Sequence, residues 1–263
     1  MTKSFKTVLL KTEDNILTVT LNRPDKRNAL NDRMVKEMVE ILSTYKAEHE
    51  ISVMILTGAG SAFCAGADLA YLKALLEKDR EAHRQDSDRL SEMFGLLYDF
   101  PKPVIAMVNG PAIGGGCGLV TVCDFAFASA AAKFGYPEVR IGFVPAIVSV
   151  FLMSSLGERK AKELLLTGKI LDAAEALSLG LVNGVAPDQA ALFHMVNEVA
   201  EMLRQNAPSS LRFTKTFCNR INFEKLDHLL AEAAALNAES RLHKNFREGI
   251  LSFLEKRKPV WIR

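Results

Sequence analysis

The chain has 263 residues, of which 49% are hydrophobic and 24% charged, with a net charge of +2. That balance suits one large α/β domain, or a core with an appendage, able to bury a sizeable interior. The near-neutral charge supplies no argument for nucleic acid or a membrane surface, and no apolar run reaches the ~18 residues of a membrane span.

Two short runs open the chain, 5–11 (FKTVLLK) and 16–21 (ILTVTL). Thr and Val alternate in the second, and Asp14-Asn15 supplies a turn, so the pair predicts a hairpin. A polar loop with Pro24 follows (LNRPDKRNAL, 21–30). Residues 31–49 then place Met34, Met38, Ile41/Leu42 and Tyr45 at the spacing of a helix with one buried face. A β-rich run, 52–57, closes on Gly58-Ala59-Gly60. The loop FCAGADL (63–69) leads into a predicted helix over 69–77. The charged piece 78–89 reads as a solvated helical surface or a loop, and 90–100 as helix. PVIAMVN (103–109) is a buried strand that feeds the run IGGGCGL (113–119), and CDFAFAS (123–129) alternates like another strand. Short helices are predicted over 158–167 and 172–178, then longer ones over 189–205 and 208–256. The division is an α/β core over 1–195 and a helical region over 196–263.

The four cysteines (Cys64, Cys117, Cys123, Cys218) have no CxxC spacing, and no signal peptide precedes them. Both facts predict reduced thiols in a cytoplasmic protein. The five histidines are scattered, with no HExxH, so no metal site is expected.

Four glycines in five positions (Gly114, Gly115, Gly116, Gly118) mark backbone in an unusual conformation or in close approach to a ligand. A dinucleotide fingerprint would need GxGxxG, and Leu119 stands where the last glycine belongs. A tight structural turn without chemistry is one alternative. Another is an oxyanion hole, in which freed backbone N–H groups meet at a developing negative charge. FCAGAD offers a second donor loop, with Asp68 suited to a positive helix end. Cys117 lacks a neighbouring base in any motif and reads as a packed thiol.

LNRPDKRNAL, AFCAGADL, PVIAMVNGPAIGGGCGL and KFGYPEVRIGFVP, in this order, together with the closing FLEKRKP, resemble the enoyl-CoA hydratase/isomerase (crotonase) family over essentially the whole chain. The resemblance implies a ββα spiral core with a helical C-terminal region for trimerisation, trimers often pairing into hexamers. It implies an acyl-CoA thioester as substrate and no metal or redox cofactor. By motif position, the amides of Ala67 and Gly115 would hold the enolate oxygen. Of the family's two hydratase glutamates, one is present as Glu138, while Gly118 stands where the other belongs. That departure resembles 3-methylglutaconyl-CoA-type hydratases. It leaves open hydration of a 2-enoyl thioester, isomerisation of a 3-enoyl to a 2-enoyl thioester by Glu138 alone, or a non-catalytic binder of acyl-CoA or RNA. Arg140 is a candidate to hold a substrate carboxylate, with room supplied by Gly118. Lys26 and Arg27 fit CoA phosphates by type. The family also uses backbone near Ala65, Asp68 and Leu69, and residues like Phe253 and Lys256 from a neighbouring subunit.

Overall fold

The alternating opening folds as a hairpin: β1 (Val8–Glu13) and β2 (Ile16–Leu21) pair antiparallel, Leu10 opposite Val19. Asp14 and Asn15 turn the corner in left-handed backbone, which Asp and Asn tolerate better than most residues. The computed structural model describes residues 4–261 apart from 224.

After the hairpin come α1 (Asp32–Tyr45), β3 (Val53–Gly58), α2 (Leu69–Leu75), α3 (Arg80–Tyr98), β4 (Val104–Val108), β5 (Ala112–Ile113) and α4 (Gly115–Thr121). The chain continues through β6 (Phe125–Ser129), β7 (Lys133–Gly135), α5 (Ala146–Leu156), α6 (Glu158–Thr167), β8 (Ile170–Asp172), α7 (Ala173–Leu179) and β9 (Gly184–Ala186). Four helices end it: α8 (Gln189–Arg204), α9 (Pro208–Asn222), α10 (Leu226–Ser240) and α11 (Lys244–Leu254).

The main sheet runs β1-β2-β3-β4-β6-β9 and is parallel from β2 onward. A parallel sheet is covered on both faces, so its central strands are apolar throughout. In β3, Met54 and Leu56 face the larger core with Met34 and Met38 of α1, while Val53 and Ile55 face Leu192, Val196 and Ala200 of α8. A small second sheet, β5-β7-β8, sits where the glycine run begins.

The structure differs from the sequence reading at several places. The stretches 78–89 and 90–100 are joined in one helix, α3 (Arg80–Tyr98), whose charged first half buries His83, Asp86 and Ser87. A polar pattern hid that face. Helix α5 escaped prediction because AIVSVFLMSSL is apolar on nearly every side, which leaves no periodicity to read. The boundary at residue 195 falls inside α8, whose buried face belongs to the sheet as far as Ala200. The stretch 208–256 is three helices, of which α10 lies back along α3 and α5. Among the described residues, no helix is long and apolar enough to cross a membrane.

Asn28 knits the loops below the site. It is fully buried in left-handed backbone. Its Nδ2 donates to the carbonyls of Ala59 and Ala62, both at 2.8 Å, and its Oδ1 accepts from the Arg23 amide at 2.8 Å. Asn28→Ala strands all three partners and is expected to cost about 2 kcal/mol or more, read as a lower urea midpoint.

Candidate active site

The two glycine loops meet backbone to backbone. Cys64 and Ala112 form a parallel bridge, and the Ile113 amide donates to the Cys64 carbonyl at 2.9 Å. A Cβ on Gly116 would stand 2.1 Å from the Cys64 oxygen, and one on Gly66 2.7 Å from the Ile113 oxygen. Gly66 and Gly114 also hold positive φ, 86° and 55°. Contact requires glycine at Gly116, conformation favours it at Gly114, and at Gly66 both apply.

The clasp frees two amides. Leu30 bridges to the stretch around Ala67 by donating to the Gly66 carbonyl (2.7 Å) and accepting from the Asp68 amide (2.8 Å). The Ala67 N–H therefore points the other way, toward solvent and the cavity. Gly115 is the first residue of α4, where an amide has no acceptor within its own helix. Among the described residues, neither N–H has a hydrogen-bond acceptor. Both residues line one cavity of about 870 Å³. Gly115 itself is less constrained than its neighbours: a Cβ there would meet only the tip of Leu30, at 3.1 Å.

Glu138 lies against Gly114, the residue before Gly115, and lines the same cavity as the two amides. It follows Pro137 in a 3-10 turn, Pro137–Ile141, and its Oε1 would stand 2.9 Å from a Cβ on Gly114. Its Oε2 is buried with no partner. Burial pushes its carboxyl up from 4.5 to about 7, opposed only by its own backbone N–H. A carboxyl with that balance can take and return a proton near neutral pH.

The position of Gly118 offers no room. A Cβ there would stand 2.3 Å from Val148 Cγ1 and 3.1 Å from Phe94 Cε1. The expectation of space beside Glu138 for a substrate carboxylate is corrected: α5 and α3 have closed it with apolar side chains. Arg140 is exposed at the cavity's edge, where its Nε packs near Gly168.

The remaining predicted residues divide. Lys26 and Arg27 are exposed on the cavity's rim, Arg27 in left-handed backbone. Ala65 and Leu69 line the cavity, and the Ala65 amide donates to the Arg27 carbonyl. Asp68 is occupied structurally: Oδ1 caps α2 through the amides of Ala70 and Tyr71, and Oδ2 pairs with Arg23 at 2.7 Å. Phe253 lines the cavity of its own chain; Lys256, in left-handed backbone past α11, is not among the lining residues. Cys117 is buried, and desolvation pushes its thiol up to about 12, so it stays protonated. Tyr71 and Asp86 fall in 69–100, the weakly patterned stretch where the sequence suggests a pocket wall, and they do line the cavity; sequence reasoning missed Arg241, which bonds to Asp86 there. No motif joins them, since α2, α3 and the end of α10 bring them together only in the fold.

The sequence profile described as "Enoyl-CoA hydratase/isomerase" matches residues 11–263. The chain belongs to this family. A Thermus thermophilus relative, provisionally named an enoyl-CoA hydratase, is 42% identical over 245 residues, covering 93% of this chain and 96% of its own. The Clostridium acetobutylicum short-chain-enoyl-CoA hydratase is 36% identical, covering 95% of each. The crystal structure of an enoyl-CoA hydratase/isomerase from Pseudoalteromonas atlantica superposes with a TM-score of 0.87 at 29% identity, over 98% of this chain and 100% of that one. The fold is therefore that of the crotonases, as the motifs implied.

Raising a carboxyl's folded value above its unfolded one favours the protonated folded state. That stability is complete below 4.5 and is lost as pH rises, the loss being finished above about 7. Glu138→Gln has no such proton to lose. In urea unfolding, wild type should lose up to about 3 kcal/mol between pH 4.5 and pH 8 that Glu138→Gln retains.

Proposed function

We propose that the protein is an enoyl-CoA hydratase acting on a 2-enoyl thioester. The observation that carries this reading is the Glu138 carboxyl, its Oε2 buried without a partner, seated against Gly114 in the cavity that the free amides of Ala67 and Gly115 also line. The relatives' names support hydration, among them the crotonyl-CoA hydratase of Syntrophomonas wolfei and the 2,3-dehydroadipyl-CoA hydratase of Escherichia coli.

In this mechanism the thioester oxygen lies between the N–H groups of Ala67 and Gly115. Ionised Glu138 takes a proton from water while the water oxygen bonds to C3. The π electrons move toward the thioester oxygen, and the two amides stabilise the enolate that forms. Glu138 then returns the proton to C2, which restores its charge. Fixed donors aimed at charge that appears only in the transition state accelerate the step selectively. No electron is transferred, so proton chemistry alone carries the cycle. Lys26 and Arg27 at the rim are assigned to the CoA phosphates.

One observation favours a second reading. With Gly118 packed against Val148 and Phe94, Glu138 has no carboxylate partner at that position. A lone shuttle suits isomerisation: Glu138 removes a C2 proton from a 3-enoyl thioester, the same amides hold the dienolate, and the proton returns to C4. A binder without chemistry gains nothing from a buried, uncompensated carboxyl, which costs stability above neutral pH.

Mass spectrometry of products in heavy-oxygen water separates the readings. A hydratase incorporates the label into a 2-enoyl-CoA; an isomerase shifts a 3-enoyl-CoA without mass change. Glu138→Gln should lower the rate by about 10²–10⁴-fold while CoA binding persists. An unchanged rate would sink both enzymatic readings.

Self-association as a trimer or a dimer of trimers belongs to the same proposal. Helix α9 buries no residue within its own chain and exposes Phe213, Phe217 and Ile221 at fourfold spacing. A stripe of this kind is expected to be covered by another copy. Phe217→Asp should shift the protein to smaller species in analytical ultracentrifugation; an unchanged mass would remove α9 from the interface.

A further inference from the structure

The two proposed oxyanion amides are held in different ways. Gly115 is set by backbone bonds: the Gly118 amide closes the first turn of α4 on the Gly114 carbonyl at 2.9 Å, and the Gly114 amide donates to the Gly135 carbonyl at 2.8 Å. Ala67 is set by its bridge to Leu30, which bonds to the residues on either side of it, Gly66 and Asp68.

One side chain spans that bridge. Arg23 Nη1 donates to the Ala29 carbonyl at 2.5 Å, and Nη2 donates to Asp68 Oδ2 at 2.7 Å. Ala29 precedes Leu30 on one side of the bridge, and Asp68 follows Ala67 on the other. A single planar guanidinium therefore ties together the two segments whose backbone bonds aim the Ala67 N–H. A fork of this kind fixes its acceptors in direction as well as distance, which an ammonium does not.

The clamp is itself anchored. The Arg23 amide donates to Asn28 Oδ1 at 2.8 Å, and the Arg23 carbonyl accepts from the amides of Lys26 and Asn28, both at 2.9 Å. The ion pair is mostly buried, with side chains 16% exposed at Arg23 and 12% at Asp68. A buried pair adds little stability over apolar residues of the same volume, so stability alone is a weak reason for it. Asp68 lines the cavity, whereas Arg23 stands behind it and outside the lining. Arg23 thus acts on a ligand only through what it holds.

Charge gives the pair a second role. Burial alone would raise the Asp68 carboxyl, but the Arg23 bond and the amides of Tyr71 and Ala70 outweigh it and hold the carboxyl below its usual range. Asp68 is therefore ionised, next in the chain to the amide assigned to an enolate oxygen. An unpaired carboxylate there would oppose the developing negative charge, and the guanidinium cancels it.

We infer that Arg23 is a positioning residue for the reaction: it clamps the Ala29–Leu30 segment to Asp68, aims the Ala67 N–H into the cavity and cancels the Asp68 charge beside it. The inference rests on the reading of Ala67 and Gly115 as donors to a thioester oxygen, but not on whether hydration or isomerisation follows.

Infrared spectroscopy of a bound thioester tests it without turnover. Hexanoyl-CoA carrying carbon-13 at C1 would be bound to wild type, Arg23→Gln and Arg23→Lys, so that the isotope singles out its carbonyl stretch. In wild type the stretch should move to lower frequency on binding, because two donors polarise the bond. Arg23→Gln should lose about half of that downshift, one donor of two, and kcat on the enoyl thioester that wild type turns over should fall about 10²-fold with KM little changed. A lysine keeps the charge but not the fork, so Arg23→Lys should lie between the two. Where Arg23→Gln does not fold, Arg23→Lys alone decides. A full downshift with unchanged kcat overturns the inference, and so does a lower Tm with the stretch unmoved, which would mean a structural role only. Failure of both variants to fold overturns it as well, by assigning Arg23 to the scaffold. If wild type does not bind hexanoyl-CoA, or binds it without a downshift, the oxyanion reading itself fails, and this inference with it.

Discussion

The active centre depends on backbone touching backbone. The 61–67 loop and the 110–116 run approach so closely that a single methyl group at Gly66, Gly110 or Gly116 would collide with a carbonyl of the opposite loop. This contact turns the Ala67 N–H outward and sets the first turn of α4 with its amide unmet. It also leaves Gly114 as a bare surface for the Glu138 carboxyl. The proposed chemistry is thus built from peptide groups whose direction the sheet and one short bridge determine, with Glu138 as its titrating side chain.

Burial then does the electrostatic work. Burial raises the Glu138 carboxyl, and only its own backbone N–H opposes the rise. Val148 and Phe94 pack against Gly118, so a second carboxylate has no room at that position.

Much of this was legible in the chain. Period-2 alternation in ILTVTL and the one-faced pattern of 31–45 identify β2 and α1 because each has one wet side. The glycine spacing pointed to unusual backbone or a ligand's close approach, because glycine is costly wherever neither demands it; what actually approaches Gly66 and Gly116 is the backbone of the other loop. Helix α5 was hidden because it is apolar nearly all round. The buried face of α3 was hidden because its interior residues are His83, Asp86 and Ser87, which sequence patterns assign to water. The joining of Asp86 to Arg241 was beyond reach for the same reason. Both are ordinary polar residues until the fold brings them into contact across 155 positions.

That separation bears on how the molecule is made. The catalytic clasp is complete within the first half of the chain, whereas α10 and α11 supply Asn237, Arg241, Ser252 and Phe253 to the cavity from its far end. The two glycine loops and Glu138 therefore leave the ribosome before the residues that complete the cavity's far side. That side arrives last in synthesis, when α10 closes over α3.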